Sequence, residues 1–137
     1  MMLALLPCMA WAQFDEWFEL ASLRVDYTLT GNSKTTTFAL KELIREPYWS
    51  GSKTNLIDNL EFGNYIVKVY EPGTDHLLFS KGYQNLYGEW VTTDEAAKVT
   101  KTFEESVIVP FPKKKVDVVL YRKDWEGHLV DFSWISV

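Results

Sequence analysis

Apolar and polar residues alternate along most of this chain with a period of two, which is typical of β-strands that bury one face. The first such stretch runs from Ser22 to Thr30. A turn at Gly31-Asn32 separates it from a second stretch, Thr35 to Leu40. The pattern predicts a hairpin, and the apolar residues of its first strand share one face: Leu23, Val25, Tyr27 and Leu29.

The same alternation predicts a second hairpin. Tyr65, Val67 and Val69 alternate with polar or outward-facing positions, and a turn at residues 71–75 follows. This turn contains proline, glycine and aspartate, which favour chain reversal. Leu77 to Ser80 then forms the returning strand.

A third hairpin is predicted near the end of the chain. Val116 to Arg122 is apolar on both faces, which indicates a central strand covered on both sides. A turn at residues 124–127 joins it to a last strand. We expect three residues of this last strand to face inward: Val130, Phe132 and Trp134.

One short helical turn is predicted between the second and third hairpins. Thr92 to Glu95 has the spacing of a capping box, in which the hydroxyl and the carboxylate each bind a free N–H of the first helical turn. We therefore place a helical turn near residues 93–98. It ends at the β-branched Val99, and Phe103 to Val109 returns to a strand pattern.

These short strands, with almost no helical periodicity, predict an all-β protein. The expected fold is an antiparallel β-sandwich of the Ig-like or jelly-roll-like kind. A chain of 137 residues suffices for one domain, which we place at residues 20–137. Because Val137 follows directly on an apolar strand, we expect this domain to be the N-terminal part of a longer polypeptide.

Composition limits the classes of partner. Aromatic residues make up 15% of the chain, which is typical of a packed domain rather than a disordered one. The formal net charge is −5, whereas proteins that bind nucleic acids carry dense lysine and arginine to pair with phosphates. We therefore expect no nucleic-acid partner.

The first twelve residues have the features of a signal peptide. They are apolar and end in Ala10-Trp11-Ala12, an Ala-x-Ala cleavage signature, although the positively charged n-region is missing. This segment is too short to span a bilayer of about 30 Å, so we expect no membrane span. Cys8 allows an alternative, in which it is acylated as a lipid anchor, but Pro7 is unusual for such a site.

Candidate catalytic and metal-binding residues are scarce. A zinc site needs three or four nitrogen or sulfur ligands, and the chain offers His76, His128 and Cys8. We expect both histidines at the surface. The nucleophile motif G-x-S-x-G is absent. The acidic residues lack the spacing of an EF-hand: Asp94, Glu95, Glu104 and Glu105. We therefore predict no catalytic residue, no metal site and no cofactor in this chain.

Aromatic residues in predicted loops are the feature that indicates binding, because rigid amphipathic rings suit protein and sugar surfaces. For Tyr48 and Trp49 we weigh contact with a following domain against packing in the core. For Trp90 we expect core packing. The candidate interface aromatics are Tyr48, Trp49, Tyr87 and Trp125.

Several ordered motifs extend beyond what strand patterning requires. The most particular group is Gly88-Glu89-Trp90, Thr92–Ala96, Thr102–Ser106 and Pro110–Pro112. Upstream, the same order continues through Glu46–Ser52, Thr54–Asp58, Gly63–Tyr65 and Phe79–Tyr83. Over roughly Leu23 to Val137 the chain resembles the N-terminal, non-catalytic domain of the M64, IgA-peptidase-like zinc metallopeptidases of Bacteroides-type bacteria.

This resemblance implies an accessory domain. In the family, zinc is bound by an H-E-x-x-H helix in a following catalytic domain, and that motif is absent from these 137 residues. The implied partner is therefore the protein's own C-terminal peptidase domain, and the implied location is secreted, periplasmic or on the surface of a Gram-negative cell. The alternative is a free-standing secreted module that binds a glycan or a host protein through exposed aromatics.

Overall fold

A computed structural model describes residues 13–137 of the chain. The predicted signal peptide at residues 1–12, with Cys8, lies outside the described residues. The description begins in a helical turn over residues 13–17, here called α1. No helix within the described part of the chain is long and apolar enough to cross a membrane.

The first sheet has three antiparallel strands, with β1 (Phe18–Gly31) between β2 (Thr36–Glu46) and β5 (Lys101–Pro112). The predicted first hairpin is confirmed as β1 and β2. The alternation of β1 also holds, since its four predicted core residues are at most 2% exposed: Leu23, Val25, Tyr27 and Leu29.

The second sheet has four antiparallel strands in the order β4 (Leu77–Tyr83), β3 (Tyr65–Tyr70), β6 (Asp117–Lys123) and β7 (Leu129–Ser136). The predicted second and third hairpins are confirmed as β3 with β4 and β6 with β7. Strand β6 is central, as predicted.

The two sheets pack face to face and enclose one core, so the all-β sandwich predicted from the sequence is confirmed. The inward faces of β1, β3 and β6 supply many of its fully buried side chains. Burial of these apolar surfaces is the main source of stability for such a fold. The outer face of the second sheet also buries Ile66 and Val119.

The predicted helical turn is present as a 3-10 turn at Glu95–Ala97, but the capping box is wrong. The turn begins at Asp94, whose side chain makes no capping bond. The Thr92 hydroxyl donates instead to the Glu89 carbonyl. The Glu95 carboxylate accepts from the Trp90 indole N–H (2.8 Å) and is paired with Lys101 (2.8 Å).

The expected face of β7 needs correction. Trp134 is 59% exposed and Val130 is 38% exposed, whereas Ile135 is buried. The register with β6 shifts between Leu120 and Tyr121, which leaves Phe132 as an extra residue in β7. This bulge reverses the alternation, so Phe132 packs against the core while Trp134 turns outward.

Candidate functional site

A cleft of about 590 Å³ opens at one end of the sandwich. Four segments that are distant in sequence surround it: the end of β1 and start of β2 (residues 29–38), the start of β3 (64–65), a short helix with the residues after it (87–92), and the β6–β7 hairpin (122–132). The volume lies in the range of small-molecule sites. We call this end of the sandwich the cleft end.

Aromatic rings form the floor of the cleft. Phe132 contacts Phe38 edge to face at 5.6 Å between ring centroids, and it contacts Tyr65 in the same way at 5.9 Å. Such edge-to-face pairs add to the stability gained from burial. The floor therefore joins strands of both sheets.

Tyr87 also lies at the cleft, but it is 1% exposed, and the expectation that it lies in a loop as an interface residue needs correction. It is the second residue of the helix α2 (Leu86–Trp90), which the sequence did not reveal. Its hydroxyl is 2.6 Å from the Thr36 hydroxyl, and its ring packs on Phe103 and Trp90. Tyr87 thus ties α2 to the first sheet.

Two polar contacts hold α2 in place. Asn85 is the N-cap, and its side-chain oxygen accepts from the Gly88 N–H at 2.7 Å. The Glu105 carboxylate accepts from the Tyr87 N–H at 2.9 Å. A Cβ at Gly88 would lie 2.7 Å from the Tyr65 ring, so glycine lets the helix pack directly on that ring.

Behind the floor lies a cluster of buried polar groups. The Tyr27 and Tyr83 hydroxyls are 2.9 Å apart, and burial raises the pKa of both. Burial also raises the pKa of Glu105, against the opposing effect of its hydrogen bond from Tyr87. Every polar side-chain atom sealed from solvent in residues 13–137 has a hydrogen-bond partner. The buried polar groups behind the cleft floor therefore all have hydrogen-bond partners.

Trp125 stands at the mouth of the cleft and is 96% exposed. The Asp124 carboxylate shapes its turn by accepting from the N–H groups of Glu126 (2.9 Å) and His128 (2.8 Å). These hydrogen bonds lower the pKa of Asp124. Gly127 has φ +84°, a left-handed conformation that glycine adopts without strain. The turn thus holds an apolar ring out in solvent.

Tyr48 and Trp49 lie at the opposite end of β2, away from Thr36 and the cleft. Tyr48 is 81% exposed, and its carbonyl accepts from the Ser22 hydroxyl. Trp49 is half-buried and packs edge to face on Phe79 at 5.7 Å. Of the four candidate aromatics, the structure therefore brings only Tyr87 and Trp125 to the cleft.

Trp90 packs at the edge of the core, as expected. It is half-buried, and its ring lies 5.3 Å from that of Phe103. The Lys101 ammonium lies over the Trp90 ring, 5.8 Å from the ring centroid.

Sequence reasoning missed a second group of aromatics on the outer face of the second sheet. Trp134 stacks on Tyr70, with ring centroids 6.3 Å apart and planes 13° apart. The Tyr70 and Tyr121 hydroxyls are 3.3 Å apart. We call Tyr70, Tyr121 and Trp134 the outer aromatic face. The bulge in β7 places Trp134 there, and the sequence carries no clear sign of that bulge.

The histidines are exposed, as predicted. His76 pairs with Glu71 at 2.9 Å, and His128 lies 3.4 Å from both Asp124 and Glu126. Within residues 13–137 no group of three or more His, Cys, Asp or Glu side chains is placed to hold a metal ion. The expectation that this chain binds no metal stays a prediction.

Comparison with known proteins gives one family. The family described as the peptidase M64 N-terminus matches residues 13–133, which is most of the chain. No curated protein matches. The matched range contains all four segments that surround the cleft.

Proposed function

Since the chain belongs to the peptidase M64 N-terminus family, we propose that it is a non-catalytic accessory domain that packs against and positions the catalytic domain of a zinc metallopeptidase. The observation that carries this proposal is the extent of the match, which runs from α1 into β7. The zinc and the residues that cleave peptides would belong to the catalytic domain alone.

The outer aromatic face is the surface we assign to that contact. Trp134 is 59% exposed, so this face presents a large apolar ring to solvent. Exposed apolar surfaces of this kind are commonly covered by another domain or protein. Tyr70 and Tyr121 add hydroxyl groups, which suit an interdomain contact that is partly polar.

The location of the parent protein is also a proposal. We expect it to be exported to the periplasm, the cell surface or the medium of a Gram-negative bacterium. The apolar residues 1–12 and their Ala-x-Ala ending support this. N-terminal sequencing of the exported protein would test it, since cleavage should leave Gln13 as the first residue.

The test of the accessory role compares three proteins: this chain, the catalytic domain, and both joined as in the parent. We expect chelator-sensitive peptide cleavage by the second and third and none by this chain. Chelator-sensitive cleavage by this chain alone would contradict the proposal.

The contact is tested in the joined protein by hydrogen exchange. We expect the amides of β7 and β3 to exchange more slowly there than in this chain alone. Trp134→Ala should remove that protection and lower the Tm of the catalytic domain. Trp125→Ala, which also removes an exposed tryptophan, should change neither. Equal protection in the joined protein and the isolated chain would argue against packing.

A second candidate function is binding of a glycan or host protein through exposed aromatics. The observation that favours it is the exposure of Trp125 at the mouth of a cleft. Glycan-array titration of this chain tests it, with Tyr48→Ala and Trp125→Ala as variants. Loss of binding in either variant would support this role, and a chain that binds no glycan or host protein would exclude it.

A further inference from the structure

Three polar groups at the cleft have no hydrogen-bond or ion-pair partner within residues 13–137: the Arg122 guanidinium, the Lys34 ammonium and the Tyr65 hydroxyl. All three residues line the cleft. They can all donate hydrogen bonds, and two carry positive charge.

Tyr65 is the most informative of the three. Its side chain belongs to the core and the residue is only 5% exposed, yet its hydroxyl has no partner in the described chain. Because no sealed side-chain polar atom there lacks a partner, this hydroxyl must reach the open space of the cleft. From there it can donate a hydrogen bond to an acceptor supplied from outside the chain.

The acidic and basic side chains that line the cleft differ in the hydrogen bonds that they make. The carboxylates of Asp124 and Asp131 already accept hydrogen bonds, from the turn of the β6–β7 hairpin and from the Trp134 indole. Arg122 and Lys34 remain unpaired within residues 13–137. The lining carries three cations, Lys34, Arg122 and Lys123, against the two carboxylates, which is an excess of one positive charge although the chain as a whole is acidic. This complementarity favours a ligand that carries a carboxylate.

The uncharged residues that line the cleft indicate which chemical groups the ligand carries besides its carboxylate. Short polar side chains surround the aromatic floor, and the broad face of Trp125 is free. The Ser33 and Asn64 side chains make no hydrogen bond within residues 13–137, and an apolar peptide side chain would leave them without a partner. A sugar ring has C–H groups that pack on an aromatic face and hydroxyls at its periphery, so it matches both parts. The other short polar side chains of the lining are already bonded within the chain: Asn32 to Thr100, Thr36 to Tyr87 and Thr92 to the Glu89 carbonyl.

We propose that the cleft binds an acidic saccharide, with its carboxylate paired to Arg122 and Lys34 and a sugar ring packed on Trp125. The Tyr65 hydroxyl donates to a ligand oxygen at the bottom of the cleft. This proposal rests on the second candidate function and gives it a ligand class, and it is independent of whether the domain packs on a peptidase.

The test is calorimetric titration of the full chain with trigalacturonic acid, with its fully methyl-esterified form as the matched neutral ligand. The ester keeps the sugar rings and removes only the negative charge. We expect the acid to bind at least about tenfold more tightly than the ester, as charge-assisted hydrogen bonds warrant. We also expect the affinity for the acid to fall with rising salt concentration.

Variants locate the site. Arg122→Gln and Trp125→Ala change exposed side chains and should each lower the affinity about tenfold or more. The matched controls are Lys115→Gln, an exposed cation at the other end of β6, and Trp134→Ala, an exposed tryptophan on the outer face. Both controls should bind as the unchanged chain does. Circular dichroism of each variant confirms that it is folded.

The outcomes separate the alternatives. Equal binding of acid and ester, with loss in Trp125→Ala, would refute the carboxylate pairing but keep the second candidate function. No binding of either sugar at millimolar concentration would overturn this proposal. A peptide ending in a free aromatic carboxylate serves as a third ligand, and preference for it over the sugar acid would show that the cleft takes polypeptide instead.

Discussion

The two ends of the sandwich use aromatic side chains in different ways. At the end where β1 begins, which we call the closed end, Phe14 is 1% exposed and packs on Phe18 at 5.7 Å. Trp17 is also buried there, under Lys114 at 4.4 Å from the ring centroid. At the cleft end, rings line an open space and are tied by hydrogen bonds, as between Tyr87 and Thr36.

This difference shows where the domain gains stability and where it is available for binding. Apolar packing excludes water from the closed end, and such packing contributes strongly to folding. The cleft end depends more on individual polar contacts, each of which contributes little net stability. Substitutions at the two ends should therefore differ in how much they lower the free energy of unfolding and in how that loss depends on pH.

The largest effect is expected for Phe14→Ala at the closed end. Removing this fully buried ring leaves a cavity and should lower the free energy of unfolding by about 3–5 kcal/mol. Urea unfolding measures it. Phe62→Ala, which removes a ring that is 73% exposed, is the control and should cost less than about 0.5 kcal/mol. Similar losses in both variants would mean that α1 does not seal the core.

Trp49→Ala and Tyr48→Ala together test whether these two neighbouring side chains contribute differently to stability. Trp49 is half-buried on Phe79, so its loss should cost about 2 kcal/mol. Tyr48→Ala should change the stability by less than about 0.5 kcal/mol, because the ring is 81% exposed. Thermal unfolding of both variants checks this, and equal losses would show that the two side chains are packed alike.

Asn85→Ala removes the main polar contact of the cleft end. The substitution deletes the cap on the Gly88 N–H and the weaker contact to the Tyr27 hydroxyl at 3.4 Å. We expect a loss of about 1–2 kcal/mol, with faster hydrogen exchange in α2. Asn55→Ala, in an exposed loop, should have no measurable effect. Unchanged exchange in α2 would contradict the assigned role of the cap.

Glu105→Gln should have the smallest effect at neutral pH and a distinctive pH profile. Burial raises the pKa of Glu105 in the folded state, so ionisation of this carboxyl disfavours folding. Its unfavourable effect appears as the pH rises from the ordinary value of 4.5 through the raised folded-state pKa. Glutamine keeps an oxygen that accepts from the Tyr87 N–H.

The stability of Glu105→Gln relative to the unchanged chain should therefore improve between pH 4 and pH 7, by less than about 1 kcal/mol since the group is partly exposed. Urea unfolding at several pH values measures this change. Glu104→Gln controls for the loss of an exposed carboxylate. A relative stability that falls over the same pH range would contradict the assigned direction of the pKa shift.

The first sheet was predictable because β1 carries from Leu23 to Leu29 the alternation that burial on one side requires, and the second because turn residues separate its apolar strands. The helix α2 was not, because its residues Leu86–Trp90 include a glycine and only one cap that is visible in the sequence. The capping box failed since Glu95 is held by Lys101 and the Trp90 indole, contacts that depend on the tertiary fold. The β7 bulge likewise depends on its pairing with β6.

The candidate site was only partly predictable. Trp125 was identified from its turn, in which Asp124 and Gly127 favour an exposed reversal. Arg122 and Tyr65 could not be grouped with it, because the cleft forms only when four distant segments meet. The position of Arg122 three residues before an exposed tryptophan is the one signal that could have drawn attention to it.

The pairing of β1 with β5 has a consequence for how the chain folds. Paired residues lie from 70 positions apart, at Gly31 and Lys101, to 94 apart, at Phe18 and Pro112. Contacts between such distant residues are slow to form, because the intervening chain must first be ordered. The β1–β2 hairpin can form early, but one edge of β1 stays unpaired until β5 has been synthesised. During that interval β1 is the segment most exposed to pairing with other chains.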